Sequence, residues 1–280
     1  MGRENKLIKA DIPAGHHDPL SFAVAARDQS IIDMVDTAVR HKQVMLAYQA
    51  VVPAGNQTTP AFYEGLIRVL DETGRIIPAR DFIDAIETTE TGRVIDCLAL
   101  EKGLVQLARV PTLRLAINMS ARSIGYSRWM RTLKRGLARD ATIAERLILE
   151  ITESSAMLVP ELVTGFMKDL QRKGISFALD DFGAGFTSFR YLRDFYFDIL
   201  KIDGQFIRGI SGNADNQILT AALANIADQF DMITVAESVE QAQDAAFLTA
   251  MGIDCLQGYY FSAPTVRPPW QDDLPKRAWA

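Results

Sequence analysis

The stretch FALDDFGAGFTSF (residues 177–189) starts as an apolar run and ends that run with two adjacent aspartates, Asp180 and Asp181. Two glycines, Gly183 and Gly185, follow the aspartates. An apolar run of this length is typical of a buried strand, and glycine allows the chain to turn sharply after it. Two interpretations are open: a glycine turn that binds phosphate, or a metal site whose loop needs glycine.

Seven further segments have the length and β-branched or aromatic content of short strands. They are residues 44–52, 62–70, 113–120, 146–153, 198–203, 232–238 and 252–260. Amphipathic stretches lie between most of them, at residues 79–108, 127–138, 161–173, 215–229 and 241–251. Each stretch is long enough for a helix that connects two parallel strands. The pattern predicts an α/β fold, a TIM-type (β/α)8-like barrel.

The first connection differs from the others, because only the turn-forming segment PAGNQTTP (residues 53–60) separates the first two strands. A segment this short predicts an antiparallel first strand. A helical repeat over residues 28–41 precedes it. We expect a flexible lead-in or linker end at residues 1–25, a barrel at 26–266 and a C-terminal tail at 267–280.

Composition excludes several classes of protein. The chain has 280 residues, nearly half of them apolar, and a net charge of -5, which favours neither duplex nucleic acid nor an anionic membrane as partner. Cys97 and Cys255 are its only cysteines, so we do not expect a disulfide framework or a zinc site. We expect a cytoplasmic location. No segment has the roughly 20 apolar residues that span a bilayer.

Histidine is confined to the start of the chain, at positions 16, 17 and 41. Catalysis in the barrel would therefore use carboxylates, amides, lysine or a metal held by oxygen. The ends of the predicted strands supply such groups: Glu64, Asn118, Glu150, Asp180, Asp181, Lys201, Glu237 and Gln257. Taken singly, each of them could be a helix cap or a turn residue.

Carboxyl ends of barrel strands open onto one face, so these side chains are expected to converge. Converging carboxylates repel one another unless cations neutralise them, and oxygen ligands favour Mg²⁺ or Mn²⁺. Two ions about 3.5–4 Å apart would suit phosphoester hydrolysis. The phosphate-turn interpretation is less favoured, because Ser188 stands where a dinucleotide fingerprint has its third glycine and the aspartates would repel a pyrophosphate.

Residues 44–264 resemble the EAL family of bacterial cyclic di-GMP phosphodiesterases. The resemblance rests on ordered motifs: AYQAVV, YEGLIR, INMS, LEITES, DDFGAGFTSF, LKID, VAESVE and QGYYFSAP. It implies one divalent ion held by Glu64, Asn118, Glu150 and Asp180. It implies a second ion held by Asp180, Asp181 and Glu237.

The resemblance also implies roles for other side chains. Lys201 matches the lysine that contacts the attacking water and assists its deprotonation, and with Glu64, Asp180 and Asp181 it forms the predicted catalytic set. Glu153 matches the glutamate that holds the loop after the aspartates. Substrate contacts are implied for Gln49, Arg68, Glu240 and Gln257, the last matching an amide near the metals.

By this resemblance the chain hydrolyses one phosphodiester bond of cyclic di-GMP to linear 5'-pGpG with two Mg²⁺ or Mn²⁺ ions. A homodimer through the aromatic segment TSFRYLRDFYF, and upstream sensor or cyclase domains in a longer parent chain, are also expected. Ser238 departs from the family's glycine and, at a positive φ, would strain the turn and displace Glu237.

Two other functions stay open. The first is a weak or inactive receptor module that binds cyclic di-GMP, for which Ser238 and the loop changes at Ala184 and Phe186 argue. The second is an unrelated barrel enzyme that uses one metal, with Lys201 as a base, on a carboxylate substrate.

Overall fold

A computed structural model describes residues 19–184 and 192–271, with side chains from residue 27 onward. Its strands are β1 (Val44–Pro53), β2 (Phe62–Leu70), β3 (Ile76–Pro78), β4 (Leu115–Asn118), β5 (Leu147–Thr152), β6 (Ser176–Phe182), β7 (Ile199–Ile202), β8 (Ile233–Ala236) and β9 (Cys255–Gln257). They form one sheet in the order β1-β9-β8-β7-β6-β5-β4-β2-β3, and a β1–β2 pairing closes it. The predicted (β/α)8-like barrel is confirmed.

Strand β1 is antiparallel to both of its neighbours, β2 and β9, as the short first connection predicts. The other barrel strands pair in parallel. In the register of the closing strands, Gln49 lies opposite Glu64 and Val51 lies opposite Gln257. The closure of the barrel thereby brings three polar residues, distant in sequence, to neighbouring positions.

The helices surround this barrel. They are α1 (Pro19–Arg40), α2 (Ile83–Ile86), α3 (Glu90–Arg109), α4 (Ser127–Leu137), α5 (Glu153–Ala156), α6 (Pro160–Gln171), α7 (Gly204–Ile207), α8 (Ala214–Gln229) and α9 (Ala242–Met251). Helix α1 begins at Pro19, so residues 19–25, expected in the lead-in, are helical. None of the helices within residues 19–184 and 192–271 is long and apolar enough to cross a membrane.

The single helix predicted for residues 79–108 is wrong, because this stretch contains two helices after the added strand β3. The Thr89 hydroxyl accepts a hydrogen bond from the Gly92 N–H and so starts α3 afresh. Gly92 lies so close to α2 that an added Cβ would be 2.6 Å from the Ile86 carbonyl oxygen. Strand β3 pairs with β2, Pro78 lying opposite Arg68, and extends that side of the barrel.

The C-terminal tail starts against the barrel rather than free of it. The Trp270 ring makes edge contacts with the rings of Tyr48 and Tyr63, at centroid distances of 5.1 and 4.8 Å. Its indole N–H donates to the Gln106 side-chain oxygen at 3.3 Å. Residues 272–280 lie outside the described part of the chain.

Eight buried apolar side chains fill the interior of the barrel, one from each of its strands. They are Val51, Phe62, Ala116, Ile148, Ala178, Ile199, Val235 and Cys255. A larger apolar cluster, which includes Trp129 and Phe177, lies between the strands and the helices. Because side chains alternate along a strand, the residue two positions from each interior residue also points into the barrel.

A buried carboxyl group fixes the loop that follows β4. Asp96, on α3, accepts hydrogen bonds from the Ser123 hydroxyl at 2.6 Å and from the Ser120 N–H at 3.0 Å. Burial raises the pKa of Asp96 to about 7, and these two hydrogen bonds only partly offset that effect. The folded protein therefore binds a proton at Asp96 more tightly than the unfolded chain, whose aspartate has a pKa of about 4.

This difference predicts a pH-dependent stability. The contribution of Asp96 is fully present below about pH 4 and is lost as the pH rises through about 7. Between these limits the wild type should lose about 1.4 kcal/mol per pH unit relative to Asp96→Asn, which cannot ionise. Urea unfolding of both proteins at pH 5, 6 and 7 measures this slope. Parallel pH profiles for the two proteins would contradict it.

Candidate metal centre and substrate cavity

Every barrel strand contributes one polar side chain to a layer above the apolar interior. Each lies two residues after the interior residue of its strand, or two residues before it in the antiparallel β1. The layer consists of Gln49, Glu64, Asn118, Glu150, Asp180, Lys201, Glu237 and Gln257. Hydrogen bonds and ion pairs connect all eight. The structure thus brings these predicted site residues together.

Lys201 lies among four carboxylates. Its Nζ atom is 2.7 Å from Glu237 Oε1, 2.8 Å from Asp180 Oδ1, 3.2 Å from Glu150 Oε2 and 3.6 Å from Glu64 Oε2. The Lys201 side chain is 1% exposed and that of Glu150 0%. Charges this deeply buried persist only when they are paired, so the ammonium and the carboxylates depend on one another.

Charge interactions within this cluster shift its pKa values. Burial alone would lower the pKa of Lys201, but the surrounding carboxylates, led by Asp180 and Glu150, raise it well above its usual value. Lys201 is therefore an ammonium in this arrangement. Burial also opposes ionisation of Glu64, but the Lys201 charge and hydrogen bonds from Gln257 and Asn118 lower the pKa of that carboxyl.

Three other carboxyl groups, those of Glu150, Glu237 and Asp181, have a pKa shift in the opposite direction. Burial, reinforced by the Glu64 charge, raises the pKa of Glu150 well above its usual value. Burial likewise raises the pKa of Glu237, and burial together with the Asp180 charge raises that of Asp181 to about 6. One ammonium therefore does not balance the carboxylates around it, and the site retains affinity for further positive charge.

Two groups of carboxylates have the spacing of metal ligands. Glu64, Glu150 and Asp180 form one group, and Asp180, Asp181 and Glu237 form the other, with the ligand atoms of each within 4.8 Å of one another. Glu150 Oε1 is buried and accepts no hydrogen bond from any residue in the described part of the chain. These all-oxygen donors and the unpartnered Glu150 oxygen fit Mg²⁺ or Mn²⁺, and Asp180 is common to both groups.

Two amides orient Glu64 from either side. Asn118 Nδ2 donates to Glu64 Oε1 at 2.8 Å, and Gln257 Nε2 donates to Glu64 Oε2 at 2.6 Å. Gln257 Nε2 also lies 3.2 Å from Gln49 Oε1, across the antiparallel closure of the barrel. Gln257, predicted to contact substrate, thus holds a carboxylate of the metal site as well as lining the cavity beside it.

A bulge in β6 allows adjacent aspartates to serve one site. Consecutive residues of a regular strand point to opposite faces, so Asp181 would face away from Asp180. The pairing of β6 with β7 shifts register between Leu179 and Phe182, and Asp181 has a φ of 54° in the left-handed region. This irregularity turns the Asp181 carboxylate back towards Asp180 and Glu237.

The loop after the aspartates is held at Gly183. Its N–H donates to Glu153 Oε2 at 3.1 Å, which places Glu153 at the loop as the family resemblance implies. Gly183 has a φ of 93°, and an added Cβ would be 2.6 Å from the Phe206 ring. Phe182, the residue after the aspartates, is fully buried. The first five residues of the expected dimer segment, 187–191, lie outside the described part, together with Phe186 of the loop.

A cavity of about 570 Å³ opens beside these two groups of carboxylates, which are called the metal groups below. Glu64 and Glu237 line it together with all of the predicted substrate contacts, Gln49, Arg68, Glu240 and Gln257. Alternate residues of β2, namely Glu64, Leu66 and Arg68, face this space, as the pleat of a strand requires.

Three further cavity residues, Arg80, Arg208 and Tyr259, are absent from the sequence-based site. Arg80 follows the unpredicted strand β3, and Arg208 follows the short helix α7. Neither lies at the end of a predicted strand, so the rule that found the metal ligands does not reach them. Tyr259 comes two residues after Gln257 in the motif QGYYFSAP, and this proximity was an available signal.

Ser238 has the positive φ expected for its position, 55°, but Glu237 is not displaced. The Glu237 carboxylate remains 2.7 Å from Lys201 and within reach of Asp180 and Asp181. Space for the serine side chain comes from Gly204, where an added Cβ would be 2.6 Å from Ser238 Cβ and would also collide with the Ser238 hydroxyl. The prediction that Ser238 displaces Glu237 is therefore wrong, because Gly204, which lies against Ser238, has no side chain.

Comparison with known proteins identifies the family of this chain. The model of the EAL domain matches residues 32–264. The chain belongs to the EAL-domain family. This EAL domain is 30% identical over 239 residues to the cyclic di-GMP phosphodiesterase PdeF of Escherichia coli, covering 84% of the chain and 32% of PdeF. It is 27% identical over 261 residues to PdeA of Borreliella burgdorferi, covering 91% of the chain and 39% of PdeA.

Among solved structures, this EAL domain is similar to the PaMucR phosphodiesterase in complex with c-di-GMP. The TM-score is 0.74 at 27% identity, and the match covers 86% of the chain and 99% of that structure. The chain thus corresponds to nearly all of that domain but spans about a third of the length of the curated relatives it matches.

The contact between Gly204 and Ser238 predicts a compensating pair of substitutions. Alanine normally favours a helix over glycine, but Gly204→Ala should cost about 1–3 kcal/mol here because its Cβ would collide with Ser238. Ser238→Gly in the same chain should restore most of that loss. Urea unfolding measures both effects, with Gly212→Ala as control because its Cβ would meet no atom within 4 Å. Failure of Ser238→Gly to rescue would refute the contact.

Removal of the Lys201 charge should destabilise the barrel. Lys201→Met leaves the buried carboxylates without their ammonium and should cost about 3 kcal/mol or more in the presence of a chelator. Added Mn²⁺ should stabilise this variant more than the wild type, since the ion replaces the missing charge. Chemical denaturation with EDTA or Mn²⁺ tests this, with Lys168→Met on the exposed face of α6 as control. Equal responses to Mn²⁺ would count against a cation site.

Proposed function

We propose that this EAL domain is a cyclic di-GMP-specific phosphodiesterase that hydrolyses one phosphodiester bond to give linear 5'-pGpG with two divalent metal ions. The observation that carries this proposal is the polar layer, in which both carboxylate groups adjoin a cavity with arginines on its wall. Phosphodiester hydrolysis needs cations for the leaving oxygen and donors for the phosphate, and this site offers a place for both.

The relatives support the choice of substrate. PdeF and PdeA are named as cyclic di-GMP phosphodiesterases, and the PaMucR structure is a c-di-GMP complex. The predicted substrate contacts Gln49, Arg68 and Glu240 all line the one cavity beside the metal groups. Hydrolysis by this chain itself is the proposal, since the match covers only 32% of PdeF and 39% of PdeA.

One metal ion would be held by Glu64, Asn118, Glu150 and Asp180. The second metal ion would be held by Asp180, Asp181 and Glu237. When bound, Mg²⁺ or Mn²⁺ lowers the pKa of a water molecule and stabilises charge on phosphate oxygens. Within the chain, Asn118 and Gln257 orient Glu64 through their hydrogen bonds. The bulge at Asp181 keeps the second group of carboxylates together.

Among these carboxylates, Lys201 would act as a positive charge and not as a free base. Its pKa is raised by the carboxylates around it, so its ammonium holds its proton. An ammonium beside the attacking water favours the hydroxide form of that water by charge, and it stabilises negative charge on the phosphate. Arg68, half buried on the same strand as Glu64, would bind a phosphate oxygen with its planar fork of donors.

Several features belong to this proposal as predictions. They are the homodimer, the upstream sensor or cyclase domains of a longer parent chain, the cytoplasmic location, and the use of Mg²⁺ or Mn²⁺. The boundaries at residues 26–266 are also a prediction, and the match to the EAL-domain model lies inside them.

Incubation of the domain with cyclic di-GMP and Mg²⁺ or Mn²⁺, followed by chromatography, tests the function. The wild type should release linear 5'-pGpG, and chelation should abolish the reaction. Glu64→Gln, which keeps the shape but not the charge of a metal ligand, should lower the rate by more than about 100-fold. Glu161→Gln on the exposed face of α6 is the matched control and should retain full activity.

The other outcomes separate the alternatives. Binding of cyclic di-GMP by calorimetry without any product would identify a receptor module and contradict the proposed hydrolysis. Absence of both binding and turnover, with metal-dependent activity on a carboxylate substrate instead, would identify an unrelated barrel chemistry. A Glu64→Gln variant as active as the wild type would remove Glu64 from the metal site.

A further inference from the structure

A second cavity, of about 930 Å³, lies on the outer wall of the barrel at β1. Strand β1 is joined to β2 by a turn, so it has no connecting helix of its own to pack against its outer face. The cavity is bounded instead by the end of α1, by α3 and by residues 266–271. Val44, Leu46 and Tyr48, alternate residues of β1, form its buried floor, whereas Gln49 lies in the polar layer inside the barrel.

Helix α3 forms one wall of this cavity with a single stripe of side chains. The stripe consists of Val94, Leu98, Lys102, Val105 and Arg109. Residues spaced by three or four lie on one face of a helix, so the stripe is about 22 Å long at roughly 1.5 Å per residue. Its three apolar side chains are partly exposed. The wall therefore presents an elongated apolar surface to the cavity.

The rim of the cavity is strongly basic. Five cations and one carboxylate line it: Arg40, Lys42, Lys102, Arg109, Arg128 and Glu101. None of the five cations forms an ion pair within 4 Å with a carboxylate in residues 27–184 and 192–271. The Glu101 carboxylate lies 3.8 Å from Arg135, which does not line this cavity. In a chain of net charge -5, this local excess of positive charge favours an anionic ligand.

Lys102 is the least exposed of the five cations and lies in the middle of the stripe. Burial lowers the pKa of Lys102, and the Glu101 charge offsets that effect only partly. Arg109 lies at the end of the stripe near Tyr48: burial raises the pKa of that phenol, and the Arg109 charge partly opposes the rise. An anion beside these two side chains would supply the charge that the protein itself does not.

The lining defines the chemistry of the ligand. Small-molecule sites are typically cavities of roughly 300–1,000 Å³, largely apolar, with a few polar groups that fix the orientation of the ligand. An uncharged apolar molecule would leave the cations without a partner. A small inorganic anion would leave the valine and leucine side chains in contact with water. An extended apolar molecule with an anionic head group satisfies both parts of the cavity.

We propose that this cavity is a second binding site, for a small amphipathic anion that has an extended hydrocarbon chain. Lys102 and Arg109 bind its head group, and the hydrocarbon lies on the side chains of α3 and β1. The site is separate from the substrate cavity, since the neighbouring residues Tyr48 and Gln49 line one cavity each. It is also independent of whether the domain hydrolyses cyclic di-GMP.

Calorimetric titration with laurate, below its micelle-forming concentration, tests the binding. One laurate should bind per chain. Dodecyltrimethylammonium has the same chain with a cationic head, and acetate has the same head without the chain. Each of these two should bind at least about 10-fold more weakly than laurate, because each lacks one of the two matched features. No binding of laurate, or equal binding of either comparison compound, would overturn the proposal.

Substitutions of the lining separate the two parts of the site. The double variant Lys102→Gln, Arg109→Gln should weaken laurate binding roughly 10- to 100-fold, because the head group loses both charged partners. Leu98→Gln should weaken it several-fold through the apolar wall. Lys168→Gln, on the exposed face of α6, is the matched control and should bind as the wild type does. The double variant changes only side chains without ion pairs, so its unchanged affinity for laurate would overturn the proposal even if Leu98→Gln failed to fold.

Two further results would assign the ligand elsewhere. Loss of laurate binding in Arg80→Gln as great as that in the double variant would place laurate in the substrate cavity. Tighter binding of a helical leucine–glutamate peptide than of laurate, lost in the double variant, would assign the cavity to an acidic protein partner. Either result would overturn the proposal. Because only binding is measured, a domain without phosphodiesterase activity would leave all of these expectations unchanged.

Discussion

The ammonium of Lys201 allows four carboxylates from four strands to share the interior of the barrel. Its contacts of 2.7–3.6 Å reach β2, β5, β6 and the residue that follows β8. One positive charge cannot neutralise them all, and burial together with the charges of neighbouring carboxylates raises the pKa values of Glu150 and Glu237. The same negative excess would repel an anionic substrate unless cations are present, so under the proposed function metal binding and substrate binding would be linked by charge.

The pleat of the sheet decides where this cluster forms. One apolar residue from each strand fills the interior, and the residue two positions away is polar in every strand. The apolar layer supports the polar layer and separates it from the other end of the barrel. Because β1 is antiparallel, its contribution, Gln49, precedes rather than follows its apolar partner, Val51. The site is thus a property of the whole closed sheet and not of any single motif.

Two non-glycine residues with left-handed backbone conformations adjoin the site. Asp181 follows Asp180 and Ser238 follows Glu237, with φ values of 54° and 55°. Each conformation redirects a side chain that a regular strand end would point elsewhere: a carboxylate towards the metal groups in one case, a hydroxyl towards Arg208 in the other. Strain of this kind persists where the surrounding contacts hold it, and it is common at functional sites.

The sequence by itself determined the barrel, the antiparallel first strand and the polar residues at the strand ends, because hydrophobic period and connection length are local properties of a chain. It did not determine the broken helix before α3, the added strand β3 or the cavity residues Arg80 and Arg208. Whether Ser238 would displace Glu237 was likewise decided by Gly204, which is distant in sequence. These outcomes depend on which atoms meet across the closed barrel, and only the tertiary structure fixes such contacts.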